Sequence, residues 1–342
     1  AQESRGLGDV YKRQFIYFFL VILSVTDITA NAGDSLYQAD FVVSADGSGN
    51  FKTLSEAIVA VPDFCDRETV VFLEEGIYQE KVNIPSSKKN LRIIGRPGGQ
   101  TVITWHDFAR LPGKTGVRIG TPGTATIINA ADSFVAENIT IENSSESAVG
   151  QAVALLCMGD RQRYINCHIK GNHDTLFLYG IGNLKEDELY SRNKCYLFVN
   201  CLIEGTTDFI FGSATAYFKE CTILSKKNSY ITAASTCKGQ QYGFIFDSCS
   251  LIAAKNVDHV FLGRPWRIHA QTVFLNCFLG THICPEGWSD WKKAIVQSGT
   301  AFYAEYNNKG PGAGTGKRVV WSRQLTSEEI EKYKLKAVWG EE

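Results

Sequence analysis

The sequence predicts an all-β chain wound as a parallel β-helix, a solenoid of stacked coils, and three observations carry that expectation. First, one short segment recurs in matched phase. It reads Phe134-Val135-Ala136-Glu137-Asn138-Ile139, then Tyr164-Ile165-Asn166-Cys167 and Phe198-Val199-Asn200-Cys201. It returns as Phe218-Lys219-Glu220-Cys221, Phe246-Asp247-Ser248-Cys249 and Phe274-Leu275-Asn276-Cys277. The aligned positions 139, 167, 201, 221, 249 and 277 differ by 28, 34, 20, 28 and 28 residues. Each step is long enough for about three short strands with their turns, the length of one coil. Second, Asn, Gly and Thr separate short apolar runs, which favours strands over helices. Third, the hairpin signatures Asn-Gly and Asp-Gly are nearly absent after Asp46-Gly47, which disfavours antiparallel meanders. A propeller blade would need four antiparallel strands at ~40 or more residues per repeat.

In chain order, Lys12 and Arg13 precede an apolar run from Phe15 to Val25, and Ala30-Asn31-Ala32 offers a small-x-small exit. That is the grammar of a signal peptide, and the run is short for a membrane span; an uncleaved anchor is the alternative. Residues 1–32 are therefore expected to be leader and signal, with the stretch before Tyr11 an extension outside the fold. Residues 33–342 are expected to form one domain, exported to the periplasm or the extracellular space.

An alternating strand is expected from Phe41. Thr53-Leu54-Ser55-Glu56 reads as a capping box, and Leu54, Ala57, Ile58 and Val61 then give one apolar helical face, closed by Pro62. A short amphipathic helix there would cap the open end of a solenoid core. Short β runs follow at Val70–Leu73, Gly76–Glu80, Val82–Ile84 and Leu91–Ile94. The 34-residue step contains a polar insert from Ile181 to Asn193 with Glu186, Asp187 and Glu188. It reads as a solvated acidic turn rather than a metal site, because hard cations need several converging oxygens. Lys309 to Gly316 is a Gly-rich loop, and Thr326-Ser327-Glu328-Glu329 is a second capping box that predicts a short C-terminal helix.

The net charge of −1 and the hydrophobic fraction of 44% describe an ordinary globular chain and give no case for nucleic acid or an anionic membrane surface. Ten cysteines in an exported chain would usually suggest a disulfide framework. Yet Cys167, Cys201, Cys221, Cys249 and Cys277 all occupy the recurring phase, where Cys acts as a small buried hydrophobe, so free thiols are expected. Pairing among Cys65, Cys157, Cys195, Cys237 and Cys284 is left open.

The same phase selects a candidate site. Gly171-Asn172-His173-Asp174-Thr175-Leu176 and Gly205-Thr206-Thr207-Asp208-Phe209-Ile210 each follow a copy of the lead-in, with Asp seven residues after the Cys. Successive coils lie ~4.8 Å apart, so Asp174 and Asp208 should face each other at about that distance. Two carboxylates so close cannot both ionise cheaply; one is left to act as an acid and the other as an anion. Leu262-Gly263-Arg264-Pro265-Trp266 places a guanidinium, suited to a bidentate grip on a carboxylate, beside an aromatic platform for a sugar face. Gln151, at the head of Gln151-Ala152-Val153-Ala154-Leu155, offers an amide for an oxyanion.

In this order, with Gly76-Ile77-Tyr78-Gln79-Glu80, His173-Asp174-Thr175-Leu176, Asp208-Phe209-Ile210-Phe211-Gly212 and Pro285-Glu286-Gly287-Trp288, the motifs resemble those of the pectin methylesterases from Phe41 to about Trp321. The runs Gly212 to Phe218 and Asn228 to Ser235 look more like bacterial than plant members. The resemblance implies a right-handed parallel β-helix that removes methyl groups from the C6 esters of polygalacturonan without a metal or organic cofactor. It implies Asp208 as nucleophile, Asp174 as proton donor, and Arg264 as the residue that orients the nucleophile. It also implies substrate contacts at Thr121, Gln151 and Trp266 with Phe211 as an aromatic neighbour, and Gln151 at the oxyanion. The chain departs from the family at His173, where most members carry Gln. A neutral imidazole donates one N–H, so the oxyanion site is expected to work with a pH dependence near 6–7. Pectin is the expected partner of a monomer that needs neither nucleic acid nor a membrane.

Three rivals share the scaffold. An inverting polygalacturonase needs carboxyls ~6.5–9.5 Å apart, while a retaining one at ~5 Å fits less badly. A pectate lyase needs an acidic calcium cluster, for which residues 186–188 are the candidate. A non-catalytic polysaccharide-binding β-helix needs no carboxylate pair at all.

Overall fold

In the computed structural model the described residues are 38–113, 115–180, 193–291 and 299–340. The expected leader and residues 181–192 of the acidic insert lie outside them. From Ala39 the described residues form one compact unit. Its strands lie in three sheets of 11, 7 and 8 strands, and every pairing between named strands is parallel. Each full coil contributes one strand to each sheet, which is the topology of a parallel β-helix.

The predicted phase is the observed register. In the 11-stranded sheet Tyr164 pairs with Ala136 on one side and Phe198 on the other, Phe198 with Phe218, Phe218 with Phe246, and Phe246 with Phe274. In-register stacking puts like side chains over one another, so these inward positions form a ladder of rings. Tyr164–Phe198, Phe198–Phe218, Phe218–Phe246 and Phe246–Phe274 stack at 4.9, 5.0, 4.4 and 4.3 Å between centroids. The ladder ends where Phe274 meets Glu305. The buried carboxylate of Glu305 accepts from Arg318 Nε at 2.7 Å, and Arg318 also donates to the carbonyls of Cys284, Pro285 and Gly312. One ion pair thereby ties the last coils to the Gly-rich loop.

The residue before each phased position turns the chain from the 11-stranded to the 8-stranded sheet. Asn138, Asn166, Asn200, Glu220, Ser248 and Asn276 all have φ between 52° and 57°, a left-handed conformation that Asn tolerates better than most residues. The Cys that follows is buried, and its thiol donates back one coil. Cys201 Sγ reaches the carbonyl of Tyr164 at 3.2 Å, Cys249 that of Phe218 at 3.3 Å, and Cys277 that of Phe246 at 3.5 Å. The place calls for a small apolar side chain with a weak donor, which is what a free Cys is. No disulfide joins any of the ten cysteines, including the five whose pairing the sequence left open.

Both predicted capping boxes form, but only the first leads straight into a helix. Helix α1, Leu54–Ala60, buries Leu54, Ala57 and Ile58 over the first coil, and Thr53 and Glu56 form the reciprocal capping bonds. Glu80, just past the strand Gly76–Gln79, adds a second cap by accepting from the N–H groups of Leu54 and Ser55. At the other end Thr326 and Glu329 also bond reciprocally. They lead into a 3-10 turn, Glu329–Tyr333, and only then does helix α2 form, over Leu335–Trp339. Lys334 takes an extended conformation between them and prevents one continuous helix. Tyr333 and Trp339 pack on Leu197, Tyr217, Ile245 and Val273, which face outward from the 11-stranded sheet. The tail thus covers the wall formed by that sheet.

Candidate active site

The site lies on the outer face of the 7-stranded sheet, and the fold supplies its two carboxylates by repetition. Leu176 pairs with Ile210, so Asp174 and Asp208, each two residues earlier, hold equivalent places on adjacent coils. Asp174 N–H donates to Thr207 O at 3.1 Å, and Asp208 N–H to Tyr230 O at 2.9 Å. Both are left-handed, with φ of 64° and 48°; such strain in non-glycine residues concentrates at functional sites. One carboxylate oxygen of each and an imidazole nitrogen of His173 lie within 4.8 Å of one another.

Position along the axis makes the two carboxylates unlike. Arg264 sits two coils beyond Asp208, in register with Ala233 and through it with Phe211. It reaches back to donate Nε to Asp208 Oδ1 at 3.0 Å and a terminal nitrogen to Oδ2 at 2.6 Å. Its guanidinium is held flat between two rings, 3.9 Å from the centroid of Tyr230 and 3.8 Å from that of Trp291. Asp208 is therefore a buried carboxylate with both oxygens engaged and its orientation fixed. Asp174 has no such partner. Burial, and secondarily the charge of Asp208, push its carboxyl well above the usual range, with Arg264 opposing. One group is poised as an oriented anion and the other as an acid.

The oxyanion candidates lie on the preceding side. Gln151 forms a parallel bridge with His173, and Ala152 N–H donates to the His173 carbonyl at 2.9 Å. His173 Nε2 stands 3.3 Å from Asp174 Oδ1. Burial lowers the His173 pKa below its ordinary 6.5, with the Asp208 charge opposing and Arg264 and Lys227 reinforcing. Burial therefore favours the neutral imidazole, the form that donates a single N–H. Trp266 meets Phe211 edge-on at 6.2 Å, and Phe211 stacks on Phe177 at 4.4 Å. Phe211 is 4% exposed, so it is the floor under Trp266 rather than an open surface. The segment before Thr121 is joined to Gln151 through the backbone: Gly120 N–H bonds Ala109 O, and Ala109 N–H bonds Gln151 O.

The structure thus brings together Asp174, Asp208, Arg264, His173 and Gln151, with Trp266 and Phe211 alongside. Sequence reasoning missed Tyr230 and Trp291. Tyr230 could have been found, because it follows Asp208 in phase on the next coil. His173, Asp174 and Asp208 could in principle ligate a metal, but both oxygens of Asp208 are already taken by Arg264.

Residues 40–340 match the pectinesterase family. The chain belongs to the pectinesterase family, which are carboxylic ester hydrolases. It is 35% identical over 298 residues to Pectinesterase QRT1 of Arabidopsis thaliana, covering 85% of this chain and 75% of that protein. It spans about half the length of most other curated relatives it matches. Pectin methylesterase from carrot superposes with a TM-score of 0.80 at 29% identity, covering 90% of this chain and 94% of that one. Pectin methylesterase PemA from Erwinia chrysanthemi gives 0.74 at 28%, covering 90% and 98%. The fold is the right-handed parallel β-helix of these enzymes. The expected leaning towards bacterial members finds no support in these figures; it rested on two short runs, whereas the comparisons weigh the whole chain.

Proposed function

We propose that this pectinesterase demethylates C6-esterified polygalacturonan through two carboxylates in unlike states. Asp208 attacks the ester carbonyl carbon, and Gln151 with neutral His173 donates to the developing oxyanion. The C–O bond to the methoxyl group breaks as Asp174 gives its proton to the departing methanol. Water then opens the acyl-Asp208 anhydride, with Asp174 now the base, which frees the galacturonate carboxylate and restores both residues. The sugar lies against Trp266, with Phe211 as the floor beneath it and Thr121 and Gln151 at the edge. Export by the Phe15–Val25 leader would put the enzyme where pectin is, acting as a monomer.

The observation that carries this reading is the fork of Arg264 on Asp208 beside an Asp174 that has no such partner and whose carboxyl burial pushes well above its ordinary value. One oxygen of each carboxyl lies within 4.8 Å of the other, which favours this reading over an inverting glycosidase with carboxyls ~6.5–9.5 Å apart; a retaining glycosidase is separated by its products. The test is methanol release from methylated pectin by the parent and by Asp208→Asn, with reducing ends counted in parallel. Methanol without new reducing ends, and a loss of at least roughly 10³-fold in the variant, are expected. New reducing ends would assign the chain to the glycosidase reading, and full activity in Asp208→Asn would remove the nucleophile.

A further inference from the structure

Behind the two turns that carry the carboxylates lies a polar network that the mechanism above does not use. Lys226 follows the strand Thr222–Ser225, one coil beyond the Asp208 turn. Its backbone N–H donates at 2.8 Å to the carbonyl of Gly205, where the Asp208 turn begins. Its ammonium donates at 2.8 Å to the carbonyl of Gly171, where the Asp174 turn begins. One residue therefore ties the entries of both turns.

The ammonium is itself held. Glu204 Oε1 stands 3.3 Å from Lys226 Nζ, and Glu204 Oε2 stands 3.3 Å from His168 Nε2. Burial works against the ionisation of Glu204, but His168 and Lys226 outweigh it and hold the carboxyl below its ordinary value. The two turns are also seated from within at their glycines. A Cβ on Gly171 would come within 2.8 Å of Thr175 Oγ1, and one on Gly205 within 2.2 Å of Phe209 Cβ. A further bond runs between the turns, from Thr206 N–H to Asn172 O at 2.9 Å, and Thr175 Oγ1 donates to the same carbonyl from within the Asp174 turn at 3.0 Å.

We propose that Lys226, anchored by Glu204, is a positioning residue that sets the separation of Asp174 and Asp208 by tying the entries of their two turns across three coils. The inference rests on the two-carboxylate reading above. Neither residue meets substrate; the ammonium acts through the backbone of residues 171–174. Asp174 has no guanidinium to orient it, so its place relative to Asp208 depends on how its turn is held.

The test measures kcat, KM and thermal midpoint for Lys226→Met, Lys226→Arg and Glu204→Gln, with Asp208→Asn alongside. A shift of ~1 Å between reacting groups costs roughly 10²-fold, so Lys226→Met should lose about that factor in kcat with KM within about threefold. Lys226→Arg can still reach the Gly171 carbonyl and should recover most of the loss; Glu204→Gln should lie between. A lysine that served stability alone would lower the midpoint and leave the kcat of folded enzyme untouched, and that result overturns the proposal. If Lys226→Met does not fold, an unchanged kcat in Glu204→Gln overturns it equally. If Asp208→Asn is inactive while Lys226→Met is fully active, the tie fails and the mechanism stands. An active Asp208→Asn removes the mechanism first.

Discussion

Arg264 offers the most direct measure of how the site orients its nucleophile. Changing it to Lys keeps a positive charge but removes the fork, because an ammonium cannot make two parallel bonds to a carboxylate. One of two charge-assisted hydrogen bonds is lost, worth about 1.5–3 kcal/mol. The flat contacts with Tyr230 and Trp291 at 3.9 and 3.8 Å are also weakened, each worth about 0.5–2 kcal/mol in full. The Arg264 side chain is 20% exposed, so solvent screens part of this, and a loss of ~2–3 kcal/mol in aligning Asp208 is the sum to test. At about 1.4 kcal/mol per tenfold that is roughly 30- to 150-fold in kcat. Arg264→Met goes further. It leaves Asp208, 5% exposed, with no counter-charge, which should cost ~3 kcal/mol of stability. A kcat loss beyond roughly 10²–10³-fold should accompany it. The assay is steady-state methanol release with a denaturant unfolding curve for each variant. A Lys variant with parental kcat would show that charge, not the fork, aligns the nucleophile; a Met variant of parental stability would show that the ion pair does not hold this corner of the fold.

Asp174→Asn should remove most activity, by ~10²–10⁴-fold, yet stabilise the fold above neutrality. The folded pKa of Asp174 lies above its unfolded 3.8. Its contribution is therefore fully present below that value and lost as pH rises through the folded pKa. The thermal midpoint should thus rise in the variant at pH 8 and not at pH 4. His173→Gln should erase a component of the kcat profile that titrates below pH 6.5, the ordinary value that burial lowers; an unchanged acid limb would assign the oxyanion to Gln151 alone. Phe246→Ala removes a ring stacked at 4.4 and 4.3 Å on both neighbours and should cost about 3–5 kcal/mol in chemical unfolding. A loss below ~1 kcal/mol would mean that the ladder can collapse around the gap.

The coil register was legible because a parallel stack repeats its constraints. Each inward aromatic, each left-handed Asn and each buried Cys must recur in phase, so a single alignment recovered six layers. The carboxylate pair was legible for the same reason: the 34-residue step lengthens one coil without shifting the phase of either Asp. Residues that reach the site from outside the repeat left no such trace. Trp291 enters from a stretch after the last phased segment, where no period predicts its neighbours. Lys226 reads as one of two lysines in a polar turn, and only the folded chain brings it to Gly171, 55 residues earlier. At the C-terminus the capping box formed as its residues dictate, but local chemistry at Thr326 and Glu329 could not foresee the extended Lys334.

Why two copies of one turn do different chemistry is a question about the axis, not about the turns. Asp174 and Asp208 share phase and φ sign, so the turn conformation alone does not separate acid from nucleophile. What differs is the neighbouring coil. Beyond Asp208 the next coil carries Tyr230 in phase, and the coil after it carries Arg264, three residues past the in-phase Phe261; they supply a ring and a guanidinium that reaches back to Asp208. Before Asp174 the stack offers Gln151, a neutral amide, so Asp174 takes the full cost of burial with one carboxylate beside it and no fork on it. Moving the guanidinium one coil towards the N-terminus would, on this logic, exchange the two roles. The division of labour is thus set by where the sequence places a single Arg among otherwise equivalent layers.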